Sequence, residues 1–135
     1  MKLDNSLFDE ILVSAEASPR RRMHYDLRTS SDDNSQRMLN VMMTDTIIPI
    51  HRHNDTSEIV VVCRGKVREE FYDAQGSKIS EYVLEAGGDC PAVLVPKGQY
   101  HTLICLVDGS VIFEAKDGAY NPRTTEDYLN EKDKR

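Results

Sequence analysis

From Arg37 to Lys116 the chain is a succession of short runs rich in Val, Ile, Tyr and Phe, each cut off by Asp, Gly or Pro. Runs of this kind predict β-strands, and here they fall near 37–43, 46–53, 57–64, 66–73, 77–84, 92–96, 99–107 and 109–116. The breaks between them are written in turn-forming residues, among them "DAQG", "EAGGD", "PKG" and "DG". Eight short strands separated by such signals leave few options for an all-β chain: a sandwich, or a barrel closed on itself.

One helix is expected ahead of the strands. Asp4 or Asn5 can cap it, Leu7, Phe8, Ile11, Leu12 and Ala15 recur on one face, and Pro19 breaks the pattern just past Ala17. The stretch that follows, "SPRRRMHYDLRTSSDDNSQ", is polar and rich in turn formers, so it reads as a long connecting segment of the sort that often carries function. After Gly118 the alternation is lost, and the last six or so residues, a charged run, are expected to fray. At 135 residues the chain has room for one domain. Its expected parts are a helix and loop over 1–36 packed on the barrel, the barrel itself over 37–122, and a tail over 123–135.

Charge narrows the partners. A net charge of −6 and a pI near 5.2 argue against binding nucleic acid, which requires a basic face. No apolar run approaches the ~20 residues that span a bilayer. The N-terminal "MKLDNSLFDE" carries acids where a signal peptide needs an apolar core, so no membrane partner and a cytoplasmic location are expected. Cys63, Cys90 and Cys105 are an odd set without a CxxC pair and are expected as reduced thiols.

The chemistry concentrates in "HRHNDTSEIVVVCRG", residues 51–65. Side chains alternate along a strand, so His51 and His53 share a face. Glu58 opens the next predicted strand, and if the two strands pair as a hairpin closed at Gly65 it lies beside them. "PKGQYH" then sets a turn at Pro96 to Gly98 ahead of His101, whose face continues through Leu103 and Cys105. Three imidazoles and a carboxylate match the donor set that holds divalent first-row ions with open coordination positions. Each piece alone has a plainer reading, as surface histidines, a solvated glutamate or an ordinary turn. Together they fall at strand positions with compatible faces, and of the chain's histidines only His24 is left outside the set.

The spacing of His51, His53, Glu58 and Gly65 resembles the first motif of the cupin superfamily, and Pro96, Gly98 and His101 resemble its second. Asp45, Cys90 and Cys105 stand where those motifs usually carry glycine, glycine and asparagine. "SPR", "DDNSQRMLN", "HRH", "VVCRGKV", "VPKGQYHTL" and "IFEAKDGAYNP" together resemble the WbuC family of cupin-fold metalloproteins, small bacterial proteins sometimes encoded among O-antigen polysaccharide genes. The resemblance implies a small cupin-type β-barrel, a double-stranded β-helix or jelly roll, with a short N-terminal helix. It also implies a divalent ion, Fe, Zn, Mn or Ni, held by His51, His53, Glu58 and His101.

Around that site, Glu114 and Lys116 share a face in "FEAKDGAY" and Tyr120 follows the turn; they are the candidate catalytic groups, the alternative being an exposed ion pair on an outer face. Arg37 and Asn40 fall on opposite faces, so at most one of them points inward, and Arg37 can instead pair with a surface acid. The segment holding Arg20, Arg22, His24 and Tyr25 is a candidate lid with anion-binding groups, and Cys105 reads as a small apolar filler. Two functions remain open. One is a metalloenzyme, an isomerase, epimerase or oxygenase acting on a small polar metabolite such as a sugar or nucleotide-sugar. The other is a non-catalytic, metal-dependent module that binds or senses a small ligand. A homodimer is expected from the prevalence of symmetric pairs and from exposed strand edges.

Overall fold

The structure is a computed structural model that describes residues 1–120 and 126–130. Helix α1, Asn5–Ala17, begins where the Asp4 carboxylate accepts a hydrogen bond from the Leu7 N–H at 3.1 Å and stops at Ser18, which turns extended ahead of Pro19. A cap of this kind is worth about 1 kcal/mol. The helix buries Phe8, Ile11 and Ala15.

Ten strands follow: β1 Arg22–Asp26, β2 Ser35–Met42, β3 His51–His53, β4 Glu58–Arg64, β5 Lys66–Tyr72, β6 Lys78–Glu85, β7 Ala92–Val95, β8 Tyr100–Cys105, β9 Ser110–Asp117 and β10 Glu126–Tyr128. They form two antiparallel five-stranded sheets, in the orders β1-β2-β9-β4-β7 and β10-β3-β8-β5-β6. Between the sheets lies a core of Met42, Val60, Val62, Val67, Leu84, Leu103, Cys105 and Ile112. The opposite face of the first sheet receives the helix, through Leu39, Val41 and Val111. Strict alternation produces this division: in β2, Leu39 and Val41 meet the helix while Asn40 and Met42 face inward.

Four expectations are corrected. Residues 46–50 form no strand, and only 51–53 of that run pair. The stretch read as an irregular connection contains β1, which runs antiparallel to β2 over five residue pairs. The stretch after Gly118, where alternation was expected to cease, supplies β10, paired with β3. Residues 131–135, where fraying is expected, lie outside the described residues.

The fourth correction concerns β3 and β4, which are not a hairpin. They belong to opposite sheets, and the chain crosses back again between β4 and β5. That second crossing explains Gly65. Its φ is +85°, and a Cβ there would sit 2.2 Å from Ser110 Oγ and 2.9 Å from Ser110 Cα. The same Oγ accepts the Lys66 N–H at 3.0 Å, so the corner is closed by a contact that admits no side chain at Gly65.

Candidate metal centre

His51 and His101 are direct register partners on β3 and β8, and His53 lies two residues along β3 on the same face. Their ring centroids are 4.4 to 5.8 Å apart, and one ligand atom from each ring lies within 4.8 Å of the others. His53 and His101 are buried. The rings are oriented from behind. His51 Nδ1 lies 2.8 Å from the Pro49 carbonyl oxygen, which can only accept, so this nitrogen carries the proton and Nε2 keeps its lone pair. His101 Nδ1 is bonded to the Glu69 carboxyl. A partner on the far nitrogen of this kind fixes the ring and raises the basicity of the ligating one.

Glu58 reaches the cluster from the opposite sheet, with Oε2 at 2.9 Å from His53 Nε2 and 3.7 Å from His101 Nε2. It was expected beside the histidines along a hairpin ladder; it arrives instead across the interior. His53 Nε2 and Glu58 Oε2 are fully buried, and their approach is not aligned as a hydrogen bond. Buried polar atoms left in that state are costly unless something else satisfies them. A cation held by these atoms would do so, and the donors present suit a divalent first-row ion. Burial works against ionising Glu58, but His53, Lys116 and His101 outweigh it and hold the carboxyl below its usual range. Glu69 is displaced the other way: burial, then repulsion from Glu58 and Glu70, push its carboxyl well above that range.

The cluster opens into a cavity of about 540 Å³, a volume typical of small-molecule sites. Glu114 and Lys116 on β9 both line it, and Lys116 stands opposite Glu58 in the ladder, so they are not an outer-face ion pair. Burial, and then repulsion from Glu58, push the Glu114 carboxyl up to about 8, with Lys116 pulling less strongly the other way. Tyr120 also lines the cavity but is 52% exposed, at its rim. Asn40 faces in, buried, with its Oδ1 lacking a hydrogen-bond partner. Arg37 takes its plainer reading and pairs with Asp33 at 2.9 Å.

The segment expected as a lid is built into the wall. Arg20, Arg22 and His24 line the cavity, while Tyr25 is turned to the other face of β1 and packs in the helix-side cluster. Cys105 is buried as a filler, with its thiol 3.0 Å from the Val107 carbonyl. All three cysteines are free. Arg52, on the face of β3 away from the histidines, bonds Asp127 of β10 at 3.0 Å and stacks over Tyr100.

Two residues escaped the sequence reading. Glu69 sits between Val67 and Phe71 on the inward face of β5, and a glutamate at an apolar position of a strand was the available signal. Gln36 shares the inward face with Asn40 and lines the cavity, with its amide bonded to the Gly118 carbonyl.

Among solved structures, the fold is similar to that of the capsular polysaccharide assembling protein CapF from Staphylococcus aureus. The TM-score is 0.70 at 21% identity, over 84% of this chain and 33% of that one. It is also similar to oxalate decarboxylase from Bacillus subtilis, with TM-score 0.61, 17% identity, and 80% and 27% of the two chains covered. A recombinant oxalate oxidase in complex with glycolate matches with TM-score 0.63, 13% identity, and 84% and 57% covered. The chain therefore spans about a third of the length of CapF. At these identities the likeness carries the fold alone. No curated protein matches the chain in sequence. A family model described as "Domain of unknown function (DUF6016)" matches residues 3–84, a span that holds His51, His53 and Glu58.

Proposed function

The chain belongs to the family described as a domain of unknown function, DUF6016, and from its metal site we propose that it is a metal-dependent enzyme acting on a small polar metabolite such as a sugar or nucleotide-sugar. The observation that carries the proposal is that the buried three-histidine cluster opens into the same cavity as Glu114 and Lys116. In this reading His51, His53, Glu58 and His101 hold a divalent ion, Fe, Zn, Mn or Ni. The ion supplies a Lewis acid that polarises a carbonyl or hydroxyl oxygen or activates water.

The protein's own groups do the rest. Glu114, with its carboxyl at about 8, keeps a proton that it can give at neutral pH. Lys116 places a positive charge where negative charge develops on the ligand, and Tyr120 at the rim orders the ligand's outer end. An acid beside a polarised carbonyl suits isomerisation or epimerisation; oxidation is the other class that the ligand set permits. The WbuC-like motifs and the likeness to CapF, a capsular polysaccharide assembling protein, both point toward polysaccharide building blocks, which supports a sugar-like substrate.

We also propose that the two sheets close as a cupin barrel over 37–122, with the segments 1–36 and 123–135 adding the helix and the edge strands β1 and β10, and that the protein acts in the cytoplasm. Homodimer formation fits Ile59 and Leu94, register partners on the helix-facing side of the first sheet that are 47% and 57% exposed. Among the described residues no helix is long and apolar enough to cross a membrane.

The test begins with elemental analysis of protein purified without added metal, where about one divalent ion per chain is expected. Nucleotide sugars and sugar phosphates are then incubated with the metal-loaded protein and followed by NMR. Conversion that falls in Glu114→Gln while metal content holds supports the enzyme. Binding without conversion, unchanged in Glu114→Gln, identifies a non-catalytic binding module instead.

A further inference from the structure

The two walls of the cavity carry different chemistry. Glu58, Glu69 and the histidines lie together at its floor, whereas Arg20, Arg22 and His24 come from β1 and the turn before it. Across the inward face of the first sheet, β1 is separated from β4, the strand of Glu58, by β2 and β9. At about 4.8 Å per strand that is roughly 14 Å. Of the cavity's remaining charges, Arg28 and Asp26 pair with each other at 2.7 Å. Between floor and arginines lies Asn40, register partner of His24, whose buried Oδ1 lacks a hydrogen-bond partner.

The backbone is arranged to keep this wall in place. Arg21 has φ +56°, and among the described residues no other non-glycine has a positive φ. Side chains rarely adopt that region without compensation. The compensation is visible: Arg21 Nε bonds Asp45 at 3.1 Å, its Nη1 donates to the Glu16 carbonyl at 2.5 Å, and its own carbonyl accepts from Thr46. Arg21 is thus tied to its neighbours at both ends while Arg20 and Arg22 on either side line the cavity.

We propose that the ligand is a hydroxyl-bearing molecule with an anionic group at one end, the anion received by Arg20 and Arg22, a hydroxyl by Asn40, and the uncharged head directed to the metal floor. This rests on reading the cavity as the ligand site. The roughly 14 Å between strand axes, taken up in part by side chains reaching in from both ends, favours an anion set about one sugar ring away from the metal, as in a sugar phosphate, over a compact dicarboxylate. Guanidinium groups suit phosphate and carboxylate alike, so the experiment separates the two.

Calorimetry on the metal-loaded protein compares glucose with glucose 1-phosphate and with glucuronate, and includes inorganic phosphate. The charged sugars are expected to bind roughly tenfold or more tightly than glucose, and the larger gain identifies the anion. In the double variant Arg20→Ala, Arg22→Ala that preference disappears. Asn40→Ala weakens the charged sugars by about fivefold or more and leaves inorganic phosphate unchanged. Equal binding of charged and neutral sugars, no binding of any anion, or a charge preference that survives the double variant overturns the proposal. Metal content, measured on the same samples, reports separately on the metal site: a charge preference in protein that holds no metal sinks the metal reading and leaves this one standing.

Discussion

At one end of the space between the sheets, Met42, Val62, Val67, Leu84, Cys105 and Ile112 close on one another. Two or four residues along the same strands, Asn40, Glu58, Glu69 and His101 occupy positions just as buried, with Glu114 facing the cavity beside them. The strands and their alternation are shared, and only the chemistry changes. The apolar end gains about 25 cal/mol for each Å² it removes from water. The polar end pays desolvation for its carboxyls and imidazoles, which a folded protein sustains only where the groups satisfy one another or hold an ion. One end is therefore arranged for stability, and the other accepts a stability cost to keep ligand atoms in place.

The sharpest way to break this contrast is to mutate each end in turn. His101→Ala removes one of the three clustered imidazoles and is expected to abolish stoichiometric metal binding by elemental analysis, while circular dichroism still reports the β-fold. Leu84→Ala at the opposite end should cost about 2–5 kcal/mol in urea denaturation. The folded fraction of that variant keeps its metal. If Leu84→Ala emptied the metal site of folded protein, or His101→Ala unfolded the chain, the two ends would not be separable.

Smaller changes sharpen it. Glu69→Gln keeps the shape behind His101 and replaces the carboxyl bonded to its Nδ1 by an amide, and should weaken metal affinity by roughly 10–100-fold, read by competition with a chelator. Lowering the pH through the histidine range, near 6.5, should release the ion. In metal-free protein the Glu114 carboxyl titrates at about 8 in the folded state against 4.5 unfolded. Between those values the folded chain holds the extra proton, so stability from this group is complete below pH 4.5 and is lost as pH rises toward 8. Glu114→Gln should remove that decline, and denaturation midpoints that fall equally in both proteins between pH 5 and 8 would contradict it. Glu58, held below its usual range, contributes with the opposite sign, and its share is lost as pH falls.

What could be read from the sequence follows from the range of the forces involved. The helix and its cap are local, and the structure has them where "LDNSLFDEILVSAEASP" puts them, with Asp4 as the cap. The histidine face was legible because alternation is also local. Pairing partners are not: nothing within "HRHNDTSE" records that β3 and β4 part to opposite sheets, so Glu58 was placed near the right atoms for the wrong reason. β1 was hidden because its inward face is charged. Yet "RMHYD" alternates strictly, with Met23 and Tyr25 against the helix and Arg22, His24 and Asp26 toward the cavity, and a polar interior position reads as loop only when the interior is assumed to be apolar.

The pairing of β3 with β10 has a consequence in time. The strand that carries His51 and His53 has three residues, meets β8 through the single His51–His101 pair, and has its other edge covered by β10. Tyr128 lies 75 positions after His53, which at usual synthesis rates is on the order of 4 to 15 s of elongation. For all of that interval the first two histidines exist without the strand that flanks them, and for most of it without His101. The strand that flanks the histidines is the last of the ten described to be made, so an ion held by the full cluster is one chosen by a fold whose two sheets are already in place.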